Sequence, residues 1–292
     1  MITIIIPTYN RAYIIHRSLD SVMNQTFKEW ECIVVDDYST DNTKELVEEY
    51  IKKDSRYRYI LNERKKGAQG ARNTGVAHAR GEWVTMLDSD DFLLPSYLER
   101  VKEKILDGFN GVICCYGQII EEETSTPKDF LNTIYSEDLF RDLLKGNAYV
   151  TFQFTTTKKY LYRIGMLDEE CPSHQELDTH IRLSKLCKYE VIPEVQWHYY
   201  VGRSDTISVN KEKHIAGQIY IMKKYIFAYR RYAYKHSLSK ARILWDSLEG
   251  ELQLKNKYRK KLLILFPELP LVMLKRKIEN YYRHRNILNK NS

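Results

Sequence analysis

The sequence predicts an α/β fold with a mainly parallel central sheet, flanked by helices and followed by a basic helical extension. Short β-branched apolar runs alternate with segments of helical spacing in the first part of the chain. The runs are continuous, as expected of strands covered on both faces. With 12% aromatic and 43% hydrophobic residues and few Gly or Pro, the composition excludes a disordered, collagen-like or low-complexity chain.

The first elements follow one another in strand–helix order. Four strands are predicted at "ITIIIP", "ECIVVDD", "YRYIL" and "EWVTMLD". Three helices are predicted between them at "RAYIIHRSLDSVMNQ", "TDNTKELVEEYIKKD" and "GARNTGVAHAR". The first helix has apolar residues at helical spacing, and the second opens with a polar cluster typical of a helix cap. Parallel strands need crossovers of about this length, so the order indicates βαβ units.

The later elements are more varied. A helix is predicted from Tyr97 to about Leu106, followed by the strand "GVICCYGQII" and the surface loop "EEETSTPKDF". Next come "YVTFQFTTTKKYLYRIG", a strand that passes into a helix, the helix "QELDTHIRLSKLCK" and the strand "EVQWHYYV". Past Ser208 the pattern becomes long helices rich in Tyr, Lys and Arg. The predicted division is therefore 1–210 and 211–292.

Polar residues follow the predicted strands where each strand ends. Ligands of open parallel sheets bind beyond the carboxyl ends of the strands, so these residues are expected to line one crevice. They are Thr8, Tyr9, Asn10, Asp36, Asp37, Asp88, Asp90 and Asp91. Each close pair of carboxylates costs about 3 kcal/mol at 5 Å and an effective dielectric of 20, so a positive partner is expected there.

The "DSDD" stretch predicts a divalent metal site. Side chains alternate along an extended strand, so Asp88 and Asp90 lie on one side while Asp91 points elsewhere or starts the turn. Mg²⁺ and Mn²⁺ are held by one or two carboxylates with phosphate oxygens and water. The alternative is a capping cluster, in which Asp90 or Asp91 caps the helix that starts near Pro95.

Four motifs, taken together, resemble those of the inverting family 2 glycosyltransferases with the GT-A fold. They are "IIIPTYNR", "CIVVDDYSTDNT", "KGAQGARNTGVAHARGEWVTMLDSDD" and "HQELDTHIRLSK", in the order and rough spacing of that family over about residues 1 to 205. The resemblance implies a nucleotide-sugar-binding catalytic domain over 1–210. It implies a nucleoside-diphosphate sugar donor, with UDP favoured, and a metal cofactor, Mn²⁺ or Mg²⁺.

The resemblance also assigns donor and metal residues. Thr8 and Tyr9 look like donor-base contacts, and the Tyr9 ring offers a stacking face. Asp37 resembles the carboxylate that accepts a hydrogen bond from the base, with Asp36 as second candidate. Asp88 is similar to the residue near the ribose.

Asp90 resembles the metal ligand, and Asp91 shares or takes that role in the alternative reading. Arg72 is placed near the nucleotide, where its guanidinium would pair with phosphate; the alternative is a surface salt bridge.

The catalytic base is assigned to Glu176. Inverting transfer needs a base that takes the proton of the acceptor hydroxyl, and in the family it follows Glu or Gln at a helix N-terminus. Gln175 and Glu176 match that pair, although Glu176 is one methylene longer than the usual Asp. Asp178 is the alternative base, and a purely electrostatic role at the helix N-terminus is the alternative function of Glu176.

The late histidine that some family members add to the metal is not matched. His198 is nearest, but on a strand it is more often a packed residue. Gly202 and Arg203 occupy the position of that ligand, and Arg203 is expected to touch the diphosphate instead.

The net charge of +7 conceals a division of the chain. Residues 211–292 contain 20 Lys and Arg against 6 Asp and Glu, or +14, which leaves −7 for residues 1–210. Basic segments with interleaved aromatics suit an anionic membrane surface, where a lipid-linked saccharide acceptor would be found. The alternative is a helical appendage that packs on the catalytic domain or on a second subunit of a homo-oligomer. No nucleic-acid partner is expected, because no recognised motif accompanies the charge.

The expected location is the cytoplasm, on or near the inner face of the membrane. Five cysteines without a CxxC pair indicate reduced thiols, and Met1 leads into a strand without a signal peptide. The expected function is transfer of a sugar to a glycan or lipid-linked acceptor in surface polysaccharide assembly. The alternatives are a nucleotide-binding scaffold that acts through its basic C-terminal region, and nucleotidyl transfer, which leaves "QELDTHIRL" unexplained.

Overall fold

The structure is a computed structural model that describes residues 1–131, 138–148, 151–202, 210–248 and 252–275. Its first part is the predicted parallel half-sheet. Four strands, β1 (Ile2–Thr8), β2 (Trp30–Asp36), β3 (Tyr57–Leu61) and β4 (Trp83–Met86), lie side by side in the order β3-β2-β1-β4. Three helices connect them: α1 (His16–Met23), α2 (Thr43–Lys53) and α3 (Ala68–His78).

Both faces of this half-sheet are covered, as the continuous apolar runs predict. Every residue of β1 and β2 is buried. Ile4 and Ile6 contribute to one apolar cluster, while Ile5, between them, contributes to a second. Thr8 pairs with Asp36, so the carboxyl ends of β1 and β2 are level at one edge of the sheet.

The rest of the sheet is mixed. It contains β5 (Phe92–Leu93), β6 (Gly111–Glu121), β7 (Pro127–Leu131), β8 (Phe154–Thr157) and β9 (Lys188–Val201), and the order continues β4-β8-β6-β9-β5, with β7 beside β6. β8 is antiparallel to β4 and β6, whereas β6 and β9 are parallel. Four helices accompany these strands: α4 (Tyr97–Leu106), α5 (Leu139–Lys145), α6 (Lys158–Arg163) and α7 (Gln175–Leu183).

The prediction of a surface loop at "EEETSTPKDF" is wrong for the second half of that stretch. Pro127–Leu131 forms β7, an antiparallel hairpin partner of β6. The turn is closed by the Glu121 amide, which donates to the Thr126 carbonyl over 2.9 Å. Backbone pairing with a single neighbour needs no apolar alternation, and the sequence therefore gave no strand signal here.

Two further elements were not predicted, and the bounds of several others differ: α1 begins at His16 rather than Arg11, and the later elements β9 and α7 also differ. The short β5 and α5 carried no periodic pattern long enough to detect. The late strand β9 starts at Lys188 rather than Glu194, and α7 ends at Leu183 instead of continuing to Lys188. Pairing with the long strand β6 extends β9 over residues that have no strand pattern of their own.

The chain divides into two compact units. One contains residues 1–171 and 175–209, and the other contains residues 172–174 and 210–292. Helices of the second unit are α8 (Lys211–Lys224), α9 (Ile226–Tyr232), α10 (Tyr234–Ser247) and α11 (Leu252–Leu265). Within the described residues, none of the helices combines the length and the apolar character that a membrane span requires.

Candidate functional site

The end of β1 supplies one buried hydroxyl and one exposed ring. Thr8 is buried, and its Oγ1 has no hydrogen-bond partner within the described part of the chain. Tyr9 is 46% exposed, with the Lys66 ammonium 4.8 Å from the centre of its ring. A buried hydroxyl without a partner costs about 1–3 kcal/mol, so its position at the predicted crevice favours a polar ligand.

The two carboxylates that follow β2 have different surroundings. Asp36 accepts hydrogen bonds from the Ser39 amide at 2.9 Å, the Ser39 hydroxyl at 2.6 Å and the Tyr59 hydroxyl at 2.6 Å. These three bonds engage both of its oxygens, so Asp36 orders the turn after β2. Asp37 accepts two hydrogen bonds, one fewer than Asp36, and remains the better candidate for a base contact.

Asp37 is connected to the loop before α3. Its Oδ1 accepts from the Asn62 amide group at 2.7 Å and its Oδ2 from the Gly67 backbone amide at 2.8 Å. Gly67 has φ of 127°, a conformation that favours glycine. Asp37 thereby fixes the loop that leads into the helix carrying Arg72.

Arg72 lies inside the protein, not at the surface. It is 4% exposed, donates to the side-chain oxygen Oε1 of Gln69 over 2.8 Å and pairs with Asp88. Its guanidinium also lies 3.8 Å from the centre of the Phe152 ring. The salt bridge therefore exists, but it joins Arg72 to the predicted site and supplies part of the positive charge that the carboxylate cluster requires.

Gln69 is a further candidate site residue, which the sequence pattern did not reveal. It is buried, and its Nε2 and the Nε of Arg72 both lack a hydrogen-bond partner within the described residues. Two unsatisfied donors, one of them on the guanidinium itself, suit an anion. Its position three residues before Arg72, on one face of α3, was the available signal.

The three acidic residues after β4 form a turn in which each has its own environment. The Asp91 amide donates to the Asp88 carbonyl at 3.1 Å. Asp91 is buried and accepts from the Gln153 amide group at 2.9 Å, whereas Asp88 and Asp90 are partly exposed. Within the described residues, no set of three His, Cys, Asp or Glu side chains has the arrangement of a metal site.

A second arginine holds this turn from the other side. Arg17 on α1 donates to the Asp90 carbonyl over 3.2 Å and to Glu122 over 2.9 Å. The Tyr200 ring lies 3.6 Å from the guanidinium. The turn is thus anchored by residues far apart in sequence, and no sequence motif pointed to them.

Glu176 lies in the first turn of α7 and is partly buried. Burial raises the pKa of its carboxyl; the positive charge of Arg72 opposes this shift, and the negative charge of Asp88 adds to it. These electrostatic effects place Glu176 near the Arg72–Asp88 pair. The structure therefore brings the predicted base to the predicted donor residues.

Asp178, the alternative base, is fully buried. Arg182, one turn later, donates to its Oδ2 over 2.9 Å from Nε and 2.6 Å from Nη2. Arg182 also donates to the Ile164 carbonyl over 2.7 Å. The ion pair orients Arg182, whose bond to Ile164 fastens α7 to the chain after α6. This favours a structural role for Asp178 and leaves Glu176 as the better candidate.

His198 and Arg203 are the two predicted residues near the end of the first unit. His198 on β9 is partly buried and stacks on Phe92 with 5.9 Å between ring centres, and burial lowers its pKa. This arrangement matches the packed alternative. Arg203, predicted to touch the diphosphate, lies outside the described residues.

Known proteins resemble this chain in both sequence and structure. A Campylobacter jejuni protein, GalNAc(5)-diNAcBac-PP-undecaprenol beta-1,3-glucosyltransferase, is 36% identical over 174 residues, which cover 58% of this chain and 55% of that protein. The Escherichia coli protein WfgD, a UDP-Glc:alpha-D-GlcNAc-diphosphoundecaprenol beta-1,3-glucosyltransferase, is 41% identical over 117 residues, or 40% of this chain and 45% of that protein. The chain thus spans about half the length of these curated relatives.

The fold is shared with a solved structure. S. aureus TarS 1-349 in complex with UDP-GlcNAc aligns with a TM-score of 0.62 and 19% identity, covering 92% of this chain and 77% of that one. The expected GT-A type of fold is thereby confirmed. Residues 3–167, more than half of the chain, match the family model for Glycosyl transferase family 2. The chain belongs to glycosyl transferase family 2.

Proposed function

We propose that this protein is a metal-dependent inverting glycosyltransferase that moves a sugar from a UDP-sugar to a hydroxyl of a lipid-linked saccharide. Family membership supports glycosyl transfer. The donor proposal is supported by TarS, which was solved with UDP-GlcNAc. Two relatives named as acting on undecaprenol-linked saccharides support the acceptor class and a role in surface polysaccharide assembly.

In this proposal, the nucleotide lies over the ends of β1 and β2. Thr8 offers an unsatisfied hydroxyl, Tyr9 an exposed ring for stacking, and Asp37 a carboxylate whose two oxygens can each accept a further bond. The diphosphate faces Arg72 and Gln69, whose unsatisfied donors require acceptors. Asp88 lies near the ribose of the bound nucleotide and keeps its salt bridge to Arg72.

The metal proposal rests on Asp90 and Asp91. A magnesium-type site takes one or two protein carboxylates and completes its shell with phosphate oxygens and water, so a cluster of three acidic side chains is not required. Asp90 is partly exposed at the turn, and Asp91 lies beside it. Mn²⁺ or Mg²⁺ held there would neutralise the charge that develops on the leaving diphosphate.

Glu176 is assigned the proton transfer. Its carboxylate takes the proton of the acceptor hydroxyl while that oxygen attacks the anomeric carbon, on the face opposite the bond to the diphosphate. The bond from the anomeric carbon to the phosphate oxygen breaks with its electron pair leaving on the diphosphate, so the configuration inverts. Burial raises the pKa of Glu176, which makes its carboxylate a stronger base than an exposed one.

One observation carries this proposal: Arg72, Asp88 and Glu176, from three separate segments, interact electrostatically at one place. The test is a panel of nucleotide sugars assayed for hydrolysis and transfer with and without Mn²⁺, beside calorimetric titration with UDP. Asp90→Asn should abolish metal-dependent turnover with an unchanged melting temperature. The matched control Asp107→Asn, an exposed aspartate after α4, should behave as wild type.

Full activity of Asp90→Asn would overturn the metal assignment. UDP binding without turnover of any donor would favour the scaffold function instead.

The membrane proposal concerns the second unit. Its residues carry a charge of +14 and include apolar side chains that are mostly exposed, among them Phe227 at 85%, Leu271 at 71% and Ile264 at 70%. Cations beside exposed apolar groups suit an anionic bilayer surface. We therefore place the protein peripherally on the inner face of the membrane, where a lipid-linked acceptor would be within reach.

A further inference from the structure

The three residues directly before α7, the helix that carries Glu176, belong to the second of the two units, called here the C-terminal unit. Residues 172–174 group with residues 210–292, although the chain on both sides of them, up to Cys171 and from Gln175, belongs to the other unit. A peptide bond joins His174 to Gln175, the first residue of α7. Whatever fixes this segment therefore constrains the start of the helix that carries Glu176.

The first contact is made by Gly217 in the middle of α8. A Cβ at this position would lie 2.6 Å from the Ser173 carbonyl oxygen and 2.8 Å from its carbonyl carbon. These are backbone atoms, which cannot move aside as the end of a flexible side chain can. Glycine costs a helix interior about 1 kcal/mol relative to alanine, and close approach of the 172–174 backbone explains its presence here.

The second contact involves two histidine rings. His174 has φ of 58°, in the left-handed region that non-glycine residues seldom adopt. Its ring centre lies 4.6 Å from that of His214 on α8, at 60° between the planes. Burial, with smaller effects of His214 and Lys240, lowers the pKa of His174 to about 4, so the ring is neutral at physiological pH. A strained backbone persists where its surroundings impose it, and α8 supplies those surroundings.

We infer that α8 is a positioning element for catalysis: Gly217 and His214 hold residues 172–174 in one conformation and so fix the first turn of α7, which presents Glu176. This inference rests on the proposed role of Glu176. His174 is only two residues from Glu176, a span of about 7 Å at most. Gly217, His214 and His174 are positioning residues, with no contact to substrate assigned to them.

The test is Gly217→Ala in the full chain. In an ordinary helix this change is stabilising, but here the added methyl should displace residues 172–174 and with them Glu176. We expect kcat to fall by about tenfold to a hundredfold, as for other small misplacements of catalytic groups, while KM for the donor and UDP affinity stay unchanged. Lys223→Ala, an exposed change on the same helix, is the matched control and should leave kcat at the wild-type value.

Two further measurements keep the inference testable if Gly217→Ala folds poorly or if the wild type transfers no sugar. His214→Ala removes the ring contact with His174 without adding atoms, and it should lower kcat by a smaller factor than Gly217→Ala. Hydrogen exchange needs no activity. Both variants should speed exchange of the amides of residues 179–182, which donate to the carbonyls of the first turn of α7, relative to the other helices of the catalytic unit.

Wild-type kcat in both variants, or unchanged exchange at residues 179–182, would overturn the inference. Failure of the proposed function is a separate result: Glu176→Gln would then remain fully active, whatever the exchange data show.

Discussion

At the scale of single residues, the site separates carboxylates that look alike in the sequence. Asp36 accepts three hydrogen bonds from Ser39 and Tyr59, and Asp178 is buried with Arg182. Glu176 has instead a raised pKa, mainly from burial. Catalytic acids and bases are often the groups whose pKa the protein shifts, which supports the assignment of the base to Glu176 made from the family resemblance.

Glu176→Gln should lose sugar transfer by at least about a hundredfold, since general base catalysis contributes that much or more. UDP affinity, measured by calorimetry, should not change. The same variant should be more stable at neutral pH, because a carboxyl with a raised folded-state pKa destabilises the fold when it is ionised. Urea unfolding measures this gain, and Glu49→Gln, on the exposed face of α2, is the control. If Glu176→Gln still transfers the sugar, the catalytic base is another residue.

The pH dependence of kcat should report the same group. Glu176 acts as a base only when ionised, so kcat should fall as the pH drops through its pKa. Because burial raises that pKa, the acidic limb should lie at higher pH than for an exposed glutamate. A pH series of kcat at saturating donor measures it. An acidic limb at the ordinary glutamate pKa would contradict the assigned environment.

At the scale of elements, the site depends on how helices are fastened to the sheet. Arg17 on α1 reaches the Asp90 carbonyl and Glu122 after β6, and Arg182 connects α7 to the carbonyl groups of Ile164 and Met166. Neither arginine is assigned any chemistry. Both hold the backbone that places the chemical groups, so their loss should act on stability and geometry.

Arg182→Met should lower the free energy of unfolding by about 3 kcal/mol, because it leaves the buried Asp178 carboxylate without its arginine. Asp178→Asn should also destabilise the fold, yet its transfer rate should stay within a few-fold of wild type. Urea unfolding and a transfer assay below the melting temperature measure the two effects. Loss of transfer by Asp178→Asn in a fully folded sample would restore Asp178 as the base.

At the scale of the whole molecule, charge divides the chain into an acidic part that carries the site and a basic part that carries exposed apolar side chains. Residues 1–210 total −7 and residues 211–292 total +14. A negative first part repels an anionic bilayer while the second part attracts it. The proposed membrane contact is therefore assigned to the C-terminal unit alone.

Sedimentation with vesicles tests this assignment. The wild type should bind vesicles that contain phosphatidylglycerol and not pure phosphatidylcholine, with binding weakened by salt. Phe227→Ser with Leu271→Ser should weaken binding by about tenfold or more, since each exposed apolar side chain adds about 1.5 kcal/mol when buried. Leu106→Ser, an exposed change in the catalytic unit, is the control. Concentration-dependent self-association without vesicle binding would favour the homo-oligomer instead.

The sequence by itself determined the parallel half of the fold and the candidate site residues. Continuous apolar runs and helical spacing are local signals, and the level ends of parallel strands bring Thr8, Asp37 and Asp88 to one edge once the topology is known. The family resemblance added Arg72 and Glu176 with their proposed roles. These inferences needed no knowledge of distant contacts.

Only the tertiary structure decided which side chains have hydrogen-bond or ion-pair partners inside the protein, and which elements hold them in place. Asp36 accepts bonds from Ser39, Asp178 pairs with Arg182, and the Gln69 side-chain nitrogen is buried with no partner within the described residues. The strand β7 and the contact of Gly217 with Ser173 likewise depend on residues that are far apart in the chain or give no local signal. Hydrogen bonds and close packing are pairwise properties in space, and a linear pattern does not contain them.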